Sequence, residues 1–438
     1  MEQHELYVSS FRALEREFAA RDPQWLLRLR REAIESFARL GFPTVHDEEW
    51  RFTNVAPLAK VMFQAAPDET DTWDAKDLEI ALPGSDPAGI RLVFVNGFYS
   101  ERLSTVPGLP RGVEAGNLAR LLKEKDGAAE AHLARYADHR VHPFVAMNTA
   151  LWRDGAYVRF PKGTVLDRPV HVVHVATAGE VPLVSFPRNL IVAERETQLT
   201  VVESYLGLGR GVCFSNAVTE IVAGENAVLD HYKLQRANDQ SFHIGALRVY
   251  ADRNANAASC AISLGGALVR NEAAAVLDAE GANCTLNGLY LARGRQHVDN
   301  HTTLDHAKPH GSSRELYHGI LSDHATAVFN GRIIVRPGAM KTDALQRNRN
   351  LLLSPDAVVD TKPQLEIYNN DVRCTHGATI GQLDAEALFY LRSRGIGAEE
   401  SRAILIYAFA ADLVERVKPA GVRAWVEDAV RASQKGAQ

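Results

Sequence analysis

The sequence predicts a mainly β protein with helical segments at both ends. From about residue 150 to 383, short runs of Val, Ile, Leu and Thr alternate with polar residues, as in IVAERETQLTVVESY and AVTEIVAGENAVLDHYKLQ, and Gly, Asn, Asp and Pro punctuate them. No helix-period stretch of ten or more residues interrupts them, and a doubly wound sheet would need such helices between its strands. A loose repeat runs through the region: a small residue or threonine after a turn opens a strand at Thr197, Ala227, Ala257, Ala282, Ala325 and Ala357. The spacings lie between 25 and 32 residues, except for the 43 between Ala282 and Ala325. A β-solenoid with two long strands per turn fits, every second side chain facing a narrow interior. An antiparallel sandwich with irregular loops fits the same texture, and the loose period leaves both open.

Residues 1–150 read as a helical and mixed domain. FRALEREFAARDPQWLLRLRREAIESFARLG has apolar residues at 3–4 spacing with charges between, and Gly41 stops it with Pro43 close behind. Residues 61–150 are of mixed texture, and residues 151–383 form the β core. Residues 384–438 are helical again. Asp384 is the N-cap of AEALFYLRSR and Gly395 its stop; AEESRAILIYAFAADLVERV (398–417) ends before Pro419, and VRAWVEDAVRAS closes the chain. The 398–417 helix is apolar over much of its circumference, at Ile404, Leu405, Ile406, Tyr407, Phe409, Leu413 and Val414. A terminal helix of that kind packs in its own domain or docks on a partner.

Several function classes are excluded. Of 438 residues 46% are hydrophobic and 24% charged, with a net charge of −5. That composition excludes global disorder and gives no electrostatic pull toward nucleic acid or an anionic membrane. The longest apolar run, Ala403–Ala411, is too short for a membrane span, and MEQHELYVSS lacks the apolar segment of a secretory signal. The four cysteines, Cys213, Cys260, Cys284 and Cys374, form no C-x-x-C, which argues against a disulfide scaffold or a zinc ribbon. A cytoplasmic protein with reduced thiols is expected. There is no P-loop, no G-x-S-x-G elbow and no H-E-x-x-H helix. Gly207, Gly209 and Gly211 miss the last glycine of a dinucleotide fingerprint and lie between strand patterns, so they read as a turn, and no nucleotide site is assigned.

Two stretches carry chemistry. Six of the sixteen histidines fall between 297 and 324, namely His297, His301, His306, His310, His318 and His324, with Asp299, Asp305 and Asp323 between them. Imidazole and carboxylate together bind iron, zinc or manganese, so His297, His301 and His306 are candidates for a secondary metal site. A stand-alone metal-dependent enzyme built on this cluster is the alternative function. The competing reading is of strand and corner histidines bonded to backbone, since no spacing rule fixes a metal geometry here. The second stretch is DVRCTHGATIGQ (371–382). Cys374 and His376 are two apart, so on a strand they face one side, with Arg373 facing away. A thiolate and an imidazole on one face can hold a soft or borderline metal or a sulfur species. Such a pair supplies two ligands at most, so a complete site needs a second chain. A buried structural cysteine beside a backbone-bonded histidine also fits the spacing.

QHVDNHTTLDHAKPHGSSRELYHGIL (296–321), FNGRIIVRPGAMKTDALQRNRNLLLS (329–354) and TKPQLEIYNNDVRCTHGATIGQLDAEALFYLRSRGI (361–396) closely resemble the SufB/SufD family of iron–sulfur cluster assembly proteins. EEWRFTN (48–54) looks like the SufD branch, and the lack of any cysteine before Cys213 departs from the SufB branch. The resemblance implies a right-handed parallel β-helix core with α-helical N-terminal and C-terminal domains. It implies a non-catalytic scaffold that acts with a SufB-like paralogue, paired through the β-helix, and with the SufC ABC-type ATPase, docked on the C-terminal helical domain. His376, in the C-[ST]-H-G-A-T motif, is implied at the SufB interface and in cluster assembly; Cys374 has the weaker claim. The expected cofactor is a transient Fe–S cluster or iron at that interface, with no nucleotide on this chain. The isolated chain could pair with itself.

Overall fold

A computed structural model describes residues 4–433 apart from 75, 77, 79–81, 83–88 and 124–126. Strand accounts for 40% of it and helix for 25%. The strands are β1 (Gln64–Ala65), β2 (Ile90–Val95), β3 (Phe98–Tyr99), β4 (Glu114–Asn117), β5 (Ala156–Phe160), β6 (Val170–Thr177), β7 (Leu183–Ser185), β8 (Arg188–Ala193), β9 (Gln198–Leu208), β10 (Cys213–Ala223), β11 (Val228–Arg236), β12 (Phe242–Ala251), β13 (Asn256–Leu264), β14 (Leu268–Leu277), β15 (Asn283–Ala292), β16 (His297–His306), β17 (Ser312–Leu321), β18 (Thr326–Val335), β19 (Asp343–Leu352), β20 (Val358–Ile367) and β21 (Arg373–Gly381). From β5 on, consecutive strands alternate between two sheets, and each long strand pairs in parallel with the strand two places on. The first sheet runs β4-β5-β8-β10-β12-β14-β16-β18-β20, and the second β3-β2-β6-β9-β11-β13-β15-β17-β19-β21. The result is a β-solenoid of about 8 turns. The parallel pairing excludes the antiparallel sandwich.

A turn takes 26 to 32 residues, the extremes being Phe242 beside Leu268 and Thr326 beside Val358. The 43-residue gap in the sequence repeat is explained by a change of sheet: Ala282 precedes β15 in the second sheet, and Ala325 precedes β18 in the first. The regular marker is conformational. One residue per turn takes a positive φ before a second-sheet strand: Glu196 (59°), Asn226 (57°), Asn254 (53°), Gly281 (73°), His310 (61°) and Lys341 (62°). The N–H of each donates to the carbonyl of the next turn's corner, at Glu225, Arg253, Glu280, Pro309, Met340 and Asp371 respectively. Gly207–Gly211 is likewise a corner. Gly209 has φ 93°, and any Cβ on Gly211 would collide with the Gly179 carbonyl.

The solenoid interior is filled by alternate residues such as Leu199, Val201, Leu229, Leu286, Val298, Leu304 and Phe329. Helical segments cover one outer face of each sheet. The single N-terminal helix of the sequence reading is two, α1 (Glu5–Arg21) and α2 (Gln24–Leu40), because Pro23 interrupts the hydrogen bonding between them. Short helices α3 (Ala56–Ala59), α4 (Leu118–Lys123) and α5 (Gly127–His132) follow, then α6 (Pro143–Leu151). Arg30 joins α2 to α6: its guanidinium lies between the Phe18 and Trp152 rings and donates to Asp22 and to the carbonyls of Ala150 and Trp152. This layer seals the outer face of the first sheet at Phe214, Phe242 and Leu268. Strands β2 to β4 lie before residue 150 and join the two sheets, so the β core reaches into the N-terminal segment.

At the other end come α7 (Ala385–Ser393), α8 (Ala398–Val414) and α9 (Ala420–Ala432). The Asp384 side chain caps α7 at the N–H groups of Glu386 and Ala387, and Gly395 follows it at φ 86°. The apolar side of α8, with α9, lies on the outer face of the second sheet: Ile406, Leu413, Val414, Trp425 and Val426 pack with Tyr232, Ile262, Leu289 and Ile320. The helices therefore share a core with the solenoid. Leu413→Ala should cost ~2–5 kcal/mol of stability by opening a cavity there. A lowered denaturant midpoint of the full chain checks this, and an unchanged midpoint would refute the packing.

Candidate functional site at the open end of the solenoid

A solenoid strand is hydrogen-bonded on both edges only if a further turn follows. Among the described residues, β20 pairs only with β18 and β21 only with β19. The last turn is exposed as a result, and most of β21 faces solvent. Val358, Ile367, Tyr368 and Ile380 are large apolar side chains left exposed on it. Phe389 and Tyr390 of α7 are 74% and 56% exposed, and no residue of α7 is buried.

Cys374 and His376 lie on one face of β21, over two different columns of inward side chains. Cys374 is in register with Ala344, which follows Ser313 and Cys284 in the preceding turns. It is half-buried against the interior cluster, and burial pushes its thiol pKa up. A raised pKa disfavours the thiolate that a metal would need. His376 is exposed and in register with Gln346, which follows Glu315. The Gln346 amide nitrogen donates to Glu315 at 2.7 Å, and burial pushes the Glu315 carboxyl up to about 7. Gln346 and Glu315 carry no motif. Only the register of the strands, which a single sequence does not reveal, brings them beneath His376.

The six clustered histidines disperse. His306 faces the solenoid interior and bonds Ser313 at 2.9 Å, its pKa pushed down to about 4 by burial. His318 faces the other way and bonds the Phe409 carbonyl of α8 at 3.0 Å. His310 and His324 are exposed corner residues. His297 and His301 lie on the outer face of β16, together with Asp299. Among the described residues no group of three His, Cys, Asp or Glu side chains is placed to hold a metal ion.

His297, Asp299 and His301 instead receive the EEWRFTN segment. Thr53 donates to Asp299 at 2.5 Å and bonds His297 at 2.9 Å. Arg270 lies 3.6 Å over the Trp50 ring and pairs with Asp299 at 2.5 Å. His301 lies 3.1 Å from Asp299 and 3.3 Å from Glu49, and Lys362 of β20 pairs with Glu48 at 2.9 Å. The segment thus straps the outer face of the first sheet from β14 to β20. Burial opposes a charged His301, but Asp299 and Glu49 outweigh both burial and Arg270, and its pKa is raised. The hydrogen bond from His301 in turn lowers the Glu49 pKa.

A capped parallel solenoid with one bare end is the architecture of an assembly subunit rather than of a pocket enzyme, and comparison with known proteins gives the family. Residues 174–409 match the family described as SUF system FeS cluster assembly, SufBD core domain, and residues 1–172 match the SufBD protein N-terminal region. The chain belongs to the SufBD family. It is similar to an iron–sulfur cluster assembly SufBD family protein of Synechocystis sp., at 33% identity over 91% of this chain and 89% of the relative. It is similar to the iron–sulfur cluster assembly protein SufD of Escherichia coli, at 33% identity over 89% of each chain. SufD of Bacillus subtilis is 27% identical over 92% of each.

The strap carries a pH dependence whose sign follows from the two shifts. A raised His301 pKa gives stability that is complete below the unfolded histidine value of about 6.5 and is lost as pH rises through the folded one. A lowered Glu49 pKa gives stability present above the unfolded carboxylate value and lost as pH falls through the folded one. Strapping should be strongest between those limits. Thermal unfolding from pH 6 to 9 should show a decline that His301→Gln flattens; a profile unchanged by the substitution would refute the coupling.

Proposed function

We propose that this protein is a non-catalytic scaffold subunit in iron–sulfur cluster assembly, in which the open end of the solenoid is the working surface. The observation that carries the reading is the bare strand β21, which presents His376 on a turn with no successor. An unpaired edge with exposed apolar side chains is a template for another chain. A SufB-like paralogue is the partner in this reading, meeting the last turn so that His376 and ligands from the second chain bind iron or a nascent cluster as cargo. A second copy of this chain is the alternative occupant when the protein is isolated. The exposed face of α7 serves as the docking surface for a SufC-type ATPase. The protein works in the cytoplasm and binds no nucleotide itself. Among the described residues no helix is long and apolar enough to cross a membrane.

His376→Ala should abolish cluster formation while the complex survives. A neutral imidazole ligates iron and a methyl group does not, and one exposed side chain contributes little to a large interface. Cys374→Ala should be milder, because the thiol packs on an apolar column. Iron and acid-labile sulfide measured on each assembled complex check the pair. Wild-type loading by His376→Ala overturns the assignment, and a null Cys374→Ala moves the function to the cysteine.

Replacing both Phe389 and Tyr390 by Asp should weaken ATPase association at least tenfold without shifting thermal unfolding, since neither side chain is packed within the chain. Retained pull-down of the ATPase at wild-type yield would exclude α7 as the surface.

A further inference from the structure

A neutral imidazole has one N–H and one lone pair, so a histidine that ligates through a chosen nitrogen needs its other nitrogen held by an acceptor. On the outward side of β21 nothing fixed offers one. Beneath the strand the structure does. Gln346 is completely buried, and its amide is oriented by chemistry: the nitrogen donates to Glu315 Oε2 at 2.7 Å, which leaves the oxygen as the free end. That oxygen, Oε1, is buried and without a partner. The adjoining residue in the next turn is His376. Neighbouring parallel strands lie about 4.8 Å apart, within reach of a glutamine side chain. Gln346 has room to extend because Gly331 lies across from it in the first sheet; a Cβ there would collide with the amide nitrogen.

We propose that Gln346 is a positioning residue for His376: its free amide oxygen accepts the imidazole N–H, and Glu315 holds the amide in the orientation that makes this acceptor available. The inference rests on the reading that His376 works at the open end, and it explains why His376, and not Cys374, is the competent member of the pair. The cysteine's column beneath β21 is Ala344, Ser313 and Cys284, with no such acceptor opposite it. Held this way, His376 presents a single lone pair outward to iron instead of exchanging between two tautomers.

The test uses the full chain labelled with 15N-histidine, with the His376 signals identified by their loss in His376→Asn. Wild type should show one dominant His376 tautomer. Gln346→Met, which keeps length but removes the oxygen, should show a mixture. Glu315→Gln should stay close to wild type, because an amide oxygen accepts from Gln346 as the carboxylate does. Gly331→Ala, which displaces the Gln346 amide from the opposite sheet, should also produce the mixture and serves if Gln346→Met does not fold. In the assembled complex, Gln346→Met should lower iron and sulfide loading at least fivefold. An unchanged His376 tautomer in Gln346→Met or Gly331→Ala overturns the proposal, even where His376→Ala is null. Normal loading by His376→Ala overturns the functional reading instead, whatever the tautomer.

Discussion

A turn of a parallel solenoid satisfies its backbone only through the turns on either side of it. Everything else in this protein follows from that dependence. In the middle of the stack each strand has both neighbours, and the corners repeat the arrangement through the ladder that begins at Glu196 and ends at Lys341. At the start, β3 and β4 fold back antiparallel on β2 and β5 and close the stack beneath the helical layer. At the finish nothing closes it, and the chain leaves β21 for α7. The incomplete hydrogen bonding of a fold that otherwise completes itself is therefore gathered in one place, and His376 lies there.

The interior imposes a second condition. It is narrow, so an inward side chain of one sheet must fit against the other sheet as well as between its neighbours in its own. Gly288 and Gly319 leave the space taken by the Tyr317 and Tyr290 rings, as Gly331 does for Gln346. Polar residues are admitted where they bond one another, as with Tyr205 and Thr219 on Glu203. Each column of inward residues along the stack consequently has its own chemical character, and residues two apart on the last strand, such as Cys374 and His376, end columns of opposite kinds.

Much of the architecture could be read from periodicity alone. The helical ends, the Asp384 cap, the Gly395 stop and the long β region rest on local patterns that the tertiary structure leaves in place. The choice between solenoid and sandwich was not legible, because the corner conformation that marks each turn is taken by Glu, Asn, Gly, His and Lys, residues with no common chemistry. The histidines between 297 and 324 show the converse. They are close in sequence, yet strand alternation and corners send them to the interior, to the α8 contact, to solvent and to the strap. Cys374 and His376 were legible as a same-face pair because the period of a strand is local, while Gln346 and Glu315 were not, because register between turns is a property of the folded chain.

The strap also constrains when the protein can finish folding. Thr53 bonds Asp299 across 246 residues of sequence, and Glu48 bonds Lys362 across 314. During synthesis at about 5–20 residues per second, the N-terminal segment leaves the ribosome roughly 12–50 s before its socket in β14 and β16 exists. The Trp50 ring, buried under Arg270 in the finished chain, has no cover during that interval. The first part of the protein to be made is thus among the last to be secured, and a nascent chain that stalls before residue 299 carries an exposed aromatic segment that a chaperone can recognise.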